Sequence, residues 1–427
     1  MSVGPARAGW FDLVRLGALA LGPNLLQGPV IRRRWGVRVA ARLDTNAWAC
    51  RVFDHLRQRH GQEPVLLNVF GRRVLLLLKA ADARRVLEET GTSFTTASRE
   101  KLYALGPFEP GSVLLTRGAE RPERRRFNEE ALDFPATEHR MCASFRTAIQ
   151  EEAQPLLAAK ELTWPRFHDA YQRIVRRIVL GDTAANDERI TEIRDRLRTD
   201  GNLFVLGPRR HALRRELFAR TQRYVDRAEP GSLARAVAHT PRTAATDPVA
   251  QMQHWFFAFD AAPIGAYLAL GLLARHPDHK ARALTDEPYM RACVLESQRL
   301  WPTSLAILRD STADTQWPGG WTLPAGSAVV FYSSFFHRDE KNLSYADRFE
   351  PAVWLDGRAE ADWSIAPFSR GPAACAGRHI VLFTSATLLS SLLSREWRLH
   401  TRHSLGPERP LPRTADHTSL RFTRDGG

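Results

Sequence analysis

The chain has 427 residues, 44% of them hydrophobic, and a formal net charge of +14 at pH 7. That much apolar material can bury a large core. Four scattered cysteines (Cys50, Cys142, Cys293, Cys375) with no C-x-x-C pair argue against a disulfide framework or a zinc site and favour a reducing compartment.

From the N-terminus, the apolar stretch 13–30 is broken by Arg15, Gly17, Gly22, Pro23 and Gly28, too often to span a bilayer. Residues 1–40 read as an N-terminal extension of a cytoplasmic chain with no transmembrane segment, a signal peptide being the lesser alternative. Residues 44–61 have amphipathic helical spacing, and a strand pair follows in 63–79 around Val74-Leu75-Leu76-Leu77-Leu78. Helical patterns then dominate, at 80–90, 119–132, 137–157, 163–180, 185–200 and 210–228. The longest, 247–275, precedes a helix that carries Glu296 and Arg299, then a strand-rich stretch at 305–333. A last helix starts behind Cys375 and runs to Ser394. The Pro-containing stretches 106–111 and 229–232 are short enough for loops, and no repeat or Gly/Ser linker divides the chain. The expectation is one domain over 1–427, mainly α with a minor β-sheet.

Arginine clusters such as Arg124-Arg125-Arg126 raise the question of nucleic acid, but no nucleic-acid motif or aromatic interleaving accompanies them. A solvated basic face that attracts an acidic protein partner accounts for them. Walker loop, dinucleotide fingerprint, nucleophile elbow and H-E-x-x-H are all missing from the sequence.

Three segments carry chemistry. In Phe368-Ser369-Arg370-Gly371-Pro372-Ala373-Ala374-Cys375-Ala376-Gly377, a cysteine sits in a Gly/Pro loop just before a helix start. Glycines permit close backbone approach, and a helix N-terminus stabilises a thiolate. Such a thiolate suits haem iron as an axial ligand; a small buried cysteine near a turn is the equally matched alternative on this segment alone. Upstream, Glu296-Ser297-Gln298-Arg299 places an acid and a base on one helix face among Leu295, Leu300 and Trp301, which suggests a buried pair. Between them lie Phe336-His337-Arg338-Asp339-Glu340 and Asp347-Arg348-Phe349-Glu350-Pro351-Ala352-Val353-Trp354-Leu355, and an arginine from this stretch is a candidate third member of that network.

In this order, the E-x-x-R helix, the Asp-Arg-Phe-Glu-Pro meander and the F-x-x-G-x-x-x-C-x-G loop resemble the cytochrome P450 family of haem-thiolate proteins, in its soluble bacterial branch. The resemblance implies the family's fold, a helical domain with a minor sheet. It also implies haem b bound by Phe368, Gly371, Cys375 and Gly377, with Cys375 as the metal ligand. Glu296, Arg299 and Arg348 become the network supporting the loop. Arg125 matches a C-helix arginine and Arg309 a strand arginine that hold haem propionates. Arg121 stands where the family often has histidine or tryptophan, and Ala373 where it often has arginine or histidine, so Arg121 is the substitute anchor. Electrons are expected from NAD(P)H through a ferredoxin or flavodoxin.

The long helix departs from the family's A/G-G-x-D/E-T pattern. Asp260 matches the acid, but Ala261 replaces the threonine and Phe257 the small residue. A positioned proton donor is worth about 10²–10⁴-fold in rate, so Asp260 is left as the relay residue, helped by water or a substrate hydroxyl. Pro263 is expected to open the helix turn before it. Phe256, Phe257, Ala258, Leu305 and Ala306 are the expected substrate contacts. The resemblance implies a monooxygenase of secondary metabolism acting on a small apolar molecule. Ala261 also fits peroxide-driven or non-oxygenating chemistry, and a haem-binding partner protein without turnover is the third alternative.

Overall fold

The computed structural model describes residues 5–69 and 71–424. Two compact units interleave along the chain. The first takes the residues up to Arg99, Glu296–Cys375 and Pro407–Asp416; the second takes Glu100–Leu295, Ala376–Gly406 and the residues from His417 on.

The first unit is built on a six-stranded sheet ordered Ala6–Arg7, Val65–Val69, Arg72–Leu76, Ala328–Tyr332, Ala306–Ser311 and Phe94–Thr95. Val65–Val69 and Arg72–Leu76 form an antiparallel hairpin with Val65 opposite Leu76. Ala306–Ser311 runs antiparallel to Ala328–Tyr332, with Ala306 opposite Tyr332. These segments are rich in the branched residues that pack well on a pleated surface. The helix Thr45–His60 supplies Phe53, which stacks on Tyr332 at 4.9 Å and on Phe335 at 5.3 Å. A separate hairpin, Thr315–Trp317 with Trp321–Leu323, stacks Trp317 on Trp321 at 5.3 Å.

The second unit is helical. Its centre is Pro248–Leu273, packed by Trp164–Leu180, Arg378–Leu393 and His211–Arg227. Asp247 caps that helix by accepting from the Ala250 N–H at 3.3 Å, and Pro248 occupies its first position. Among the described residues it is the one helix long and apolar enough to cross a membrane, and 78% of its apolar window is buried, as in the core of a globular unit. A small sheet of Arg398–His400, Arg421–Thr423 and Glu161–Thr163 completes the unit.

The helices expected from periodicity lie within a few residues of their observed bounds, as Trp164–Leu180, His211–Arg227 and Arg378–Leu393 show. The helix Cys142–Ala158 starts five residues later than expected. Periodicity missed Arg34–Leu43, whose Gly36 reads as a breaker; a Cβ there would stand 2.3 Å from the Leu26 carbonyl oxygen, so the glycine serves close packing. It also missed Leu233–His239 and the three-residue strands, which are too short to show a period. The helix Pro248–Leu273 runs through Pro263 without a break, with Ala262, Pro263 and Gly265 all buried.

Candidate functional site

In the first unit, Cys375 ends a loop closed by its own backbone. The Cys375 N–H donates to the Phe368 carbonyl at 2.9 Å, and the Ala374 N–H to the Gly371 carbonyl at 2.9 Å. Gly371 has φ +66°, and a Cβ on it would lie 2.4 Å from the Leu87 carbonyl oxygen, so only glycine fits. Arg370 braces the loop by donating to the Ala359 and Glu360 carbonyls, with its guanidinium over the Trp363 ring at 5.3 Å. Cys375 and Phe368 remain half-buried. Arg309, 3% exposed on its strand, donates to the Thr90 hydroxyl (2.9 Å), the Leu308 carbonyl (3.0 Å) and the Ser369 hydroxyl (3.0 Å) of this loop. Leu305 and Ala306, at the start of the same strand, are half-buried.

Glu296 and Arg299 are fully buried and form a two-pronged pair, Nε to Oε2 at 2.8 Å and Nη2 to Oε1 at 2.7 Å. The remaining donors of Arg299 reach the carbonyls of His337 (2.8 Å), Ala346 (2.9 Å), Tyr345 (3.2 Å) and Arg348 (2.9 Å). Glu296 also accepts from the Glu350 N–H (2.9 Å) and Trp354 Nε1 (3.0 Å). The expected role of the Arg348 side chain is therefore corrected. Arg348 is exposed and contributes its carbonyl, because the planar fork of Arg299 already needs acceptors on every side.

Two residues of the 336–340 segment have defined partners. His337 Nε2 accepts from the Ala366 N–H at 3.1 Å, two residues before Phe368. Burial, then the nearby Arg299 charge, lowers the His337 pKa to about 3, so the ring is neutral. Arg338 is buried and donates to Asp347 (2.7 Å) and to the carbonyls of Leu411 (2.6 Å) and Pro412 (2.7 Å), which fastens the 407–416 segment.

In the second unit, the helix Glu120–Ala131 carries Arg121 and Arg125 one turn apart. Arg125 donates to Glu129 at 2.6 Å and lies over the Phe134 ring at 5.4 Å. The Nε of Arg121 is buried with no hydrogen-bond partner, and burial together with Arg125 lowers its pKa. Such a nitrogen beside a second guanidinium calls for an anionic group. Gly377 precedes the helix Arg378–Leu393, and a Cβ on it would meet nothing within 4 Å, so backbone is left open to a flat neighbour. On these two observations a propionate-bearing macrocycle fits the residues present.

Asp260 is buried on the central helix and clamped by Arg194 and by Arg198 (3.0 Å), with Gln172 at 3.4 Å. Burial alone would raise its pKa, but the two guanidiniums outweigh it and hold the carboxyl below its usual range. His254, Phe257, Ala258, Ala261 and Ile264 form one half-buried stripe on that otherwise buried helix, at helical spacing. Phe256 lies off this stripe, fully buried under the Arg194 guanidinium at 4.4 Å, so its expected place in the substrate contacts is corrected. Helical geometry turns it away from Phe257 and Ala258.

A family model described as Cytochrome P450 matches residues 267–417. The chain is 32% identical over 128 residues to cyclooctat-9-en-7-ol 5-monooxygenase of Streptomyces melanosporofaciens, a match covering 30% of this chain and 26% of that one. It is 31% identical over 125 residues to the cytochrome P450 monooxygenase astF of Aspergillus oryzae, covering 29% and 23%. These matches span less than a third of the length of either relative. Among solved structures, the retinoic-acid-bound cyanobacterial CYP120A1 superposes with a TM-score of 0.69 at 18% identity, covering 87% of this chain and 93% of that one. A cytochrome P450DA mutant haem domain gives 0.67 at 14% identity, covering 88% and 93%. These two likenesses show the fold.

Proposed function

We propose that this chain, which belongs to the cytochrome P450 family, is a haem-thiolate monooxygenase that inserts one oxygen atom of O₂ into a mostly apolar organic molecule. The observation that carries the reading is Cys375 at the end of a braced, backbone-closed loop, in the same unit as the buried Glu296–Arg299 network. When bound, haem supplies reversible O₂ binding and reductive activation, tuned by the electron-donating thiolate.

The chain's own residues have separable tasks. Cys375 would present the sulfur, and the guanidiniums of Arg121 and Arg125 in one unit and of Arg309 in the other are of the shape that would hold propionates. NAD(P)H electrons delivered by a ferredoxin or flavodoxin, and a setting in secondary metabolism, belong to the same reading; the charge of +14 suits an acidic electron donor. Asp260, held ionised between Arg194 and Arg198, has no proton to give at neutral pH until it leaves them. Ala261 offers no hydroxyl as a second station. Protons must then pass through water or through the substrate itself.

That pair of facts also favours a second reading, in which the chain uses peroxide or performs non-oxygenating chemistry. The ferrous–carbon monoxide difference spectrum of the wild type and of Cys375→Ser tests the thiolate: the wild-type Soret shift has to vanish in the variant. Turnover under ¹⁸O₂ with a reductase system then divides the two readings. Label in the product supports the monooxygenase, and unlabelled product from full turnover rejects it.

A further inference from the structure

Glu109 is fully buried in the loop that follows the helix Arg99–Leu105, and only one of its carboxylate oxygens is paired. His254 Nδ1 donates to Oε2 at 3.0 Å, while Oε1 is buried with no partner. A buried carboxylate with a single partner is costly. The loop is nonetheless fixed, because Gln251 of the central helix accepts from the Val113 N–H (2.9 Å) and donates to the Gly111 carbonyl (2.9 Å).

The second ring nitrogen of His254, Nε2, makes no hydrogen bond among the described residues, and the side chain is 23% exposed. His254 lies two turns before Ala261 on the half-buried stripe. Its ring sits 6.3 Å from that of Phe257, which packs on Phe108 at 5.9 Å. One polar atom thus shares a half-buried helix stripe with phenylalanine and alanine. That is how apolar pockets fix a ligand's orientation.

The carboxylate of Glu109 keeps a proton on Nδ1, as outer partners of histidine do, leaving Nε2 to accept. A hydroxyl is a neutral donor that pairs with Nε2 as acceptor.

We infer that His254, positioned by Glu109, anchors the hydroxyl of an otherwise hydrocarbon substrate, which makes the substrate class alcohols rather than bare hydrocarbons. This rests on the monooxygenase reading only for what happens to the alcohol once bound.

The test uses the holoprotein, with cyclodecanol and cyclodecane as probes and isothermal calorimetry and the haem spin-state shift as readouts. Losing a buried hydrogen bond costs about 1–3 kcal/mol, so the ratio of alcohol to hydrocarbon Kd rises about fivefold or more in His254→Phe. His254→Gln, which keeps a polar terminus, holds the ratio near that of wild type, and Glu109→Gln falls between. A purely structural role would lower stability and leave the ratio in place. A ratio unchanged within about twofold in His254→Phe, or no calorimetric binding of cyclodecanol by the wild type, overturns the assignment. The carbon monoxide spectrum of the same wild-type sample keeps the two proposals apart: its failure with the ratio change intact removes the oxygenase reading and leaves the alcohol site.

Discussion

Phe257 replaces a small residue of the family pattern and is the bulkiest member of the half-buried stripe on Pro248–Leu273. Phe257→Ala is expected to admit bulkier ligands, detected as new spin-state shifts in a size-graded series; an unchanged series would show that the ring does not limit the pocket. Asp260 behaves differently, since its charge balances two buried guanidiniums. Asp260→Asn leaves them uncompensated and should cost about 3–5 kcal/mol by denaturant titration. The roles of these residues were unequally legible. An E-x-x-R spacing and a cysteine between glycines can be read as text, but the partners of Asp260, 62 and 66 positions upstream, cannot. The same holds for His254, which looks like any core histidine until Glu109 is found beside it.

At the scale of elements, the Cys375 loop is held by neighbours brought from far along the chain. Arg299 fastens the meander through four carbonyls, and Trp354 and the Glu350 N–H complete Glu296. Truncating either partner strands a buried charge, so Arg299→Ala should cost about 3–5 kcal/mol and shed haem on dilution. Arg348→Ala removes only an exposed side chain and should stay within about 0.5 kcal/mol of wild type. Equal losses in the two variants would contradict the carbonyl-only role of Arg348. Gly371→Ala adds a Cβ where φ is +66° and the Leu87 carbonyl is 2.4 Å away, and should destabilise the loop without touching the sulfur.

Across the whole molecule, pH acts through buried histidines. Burial, with Arg299 adding to it, lowers His337 to about 3, and burial with Arg378 and Arg291 lowers His379 to about 4. Both bind protons more readily when unfolded, so the stability linked to their neutral form is fully present above pH 6.5. It is lost as pH falls from 6.5 toward 3 for His337 and toward 4 for His379. By pH 5 the stability lost through His337 is about 2 kcal/mol, and the loss through half-buried His379 is smaller because of solvent screening. Urea midpoints measured from pH 7 to 5 should therefore fall, and fall less steeply in His337→Gln. Equal slopes would show that this ring is not held neutral.

The sequence by itself determined the long helices and the motifs with their order. Each of these rests on local periodicity or on residues within ten positions of one another. The tertiary structure alone decided that Arg348 serves through its carbonyl, that Phe256 turns under Arg194, that Asp260 is pinned by two arginines and that Glu109 holds His254. Those outcomes depend on contacts between residues tens to hundreds of positions apart. Their geometry is fixed only when burial forces every polar atom to find a partner.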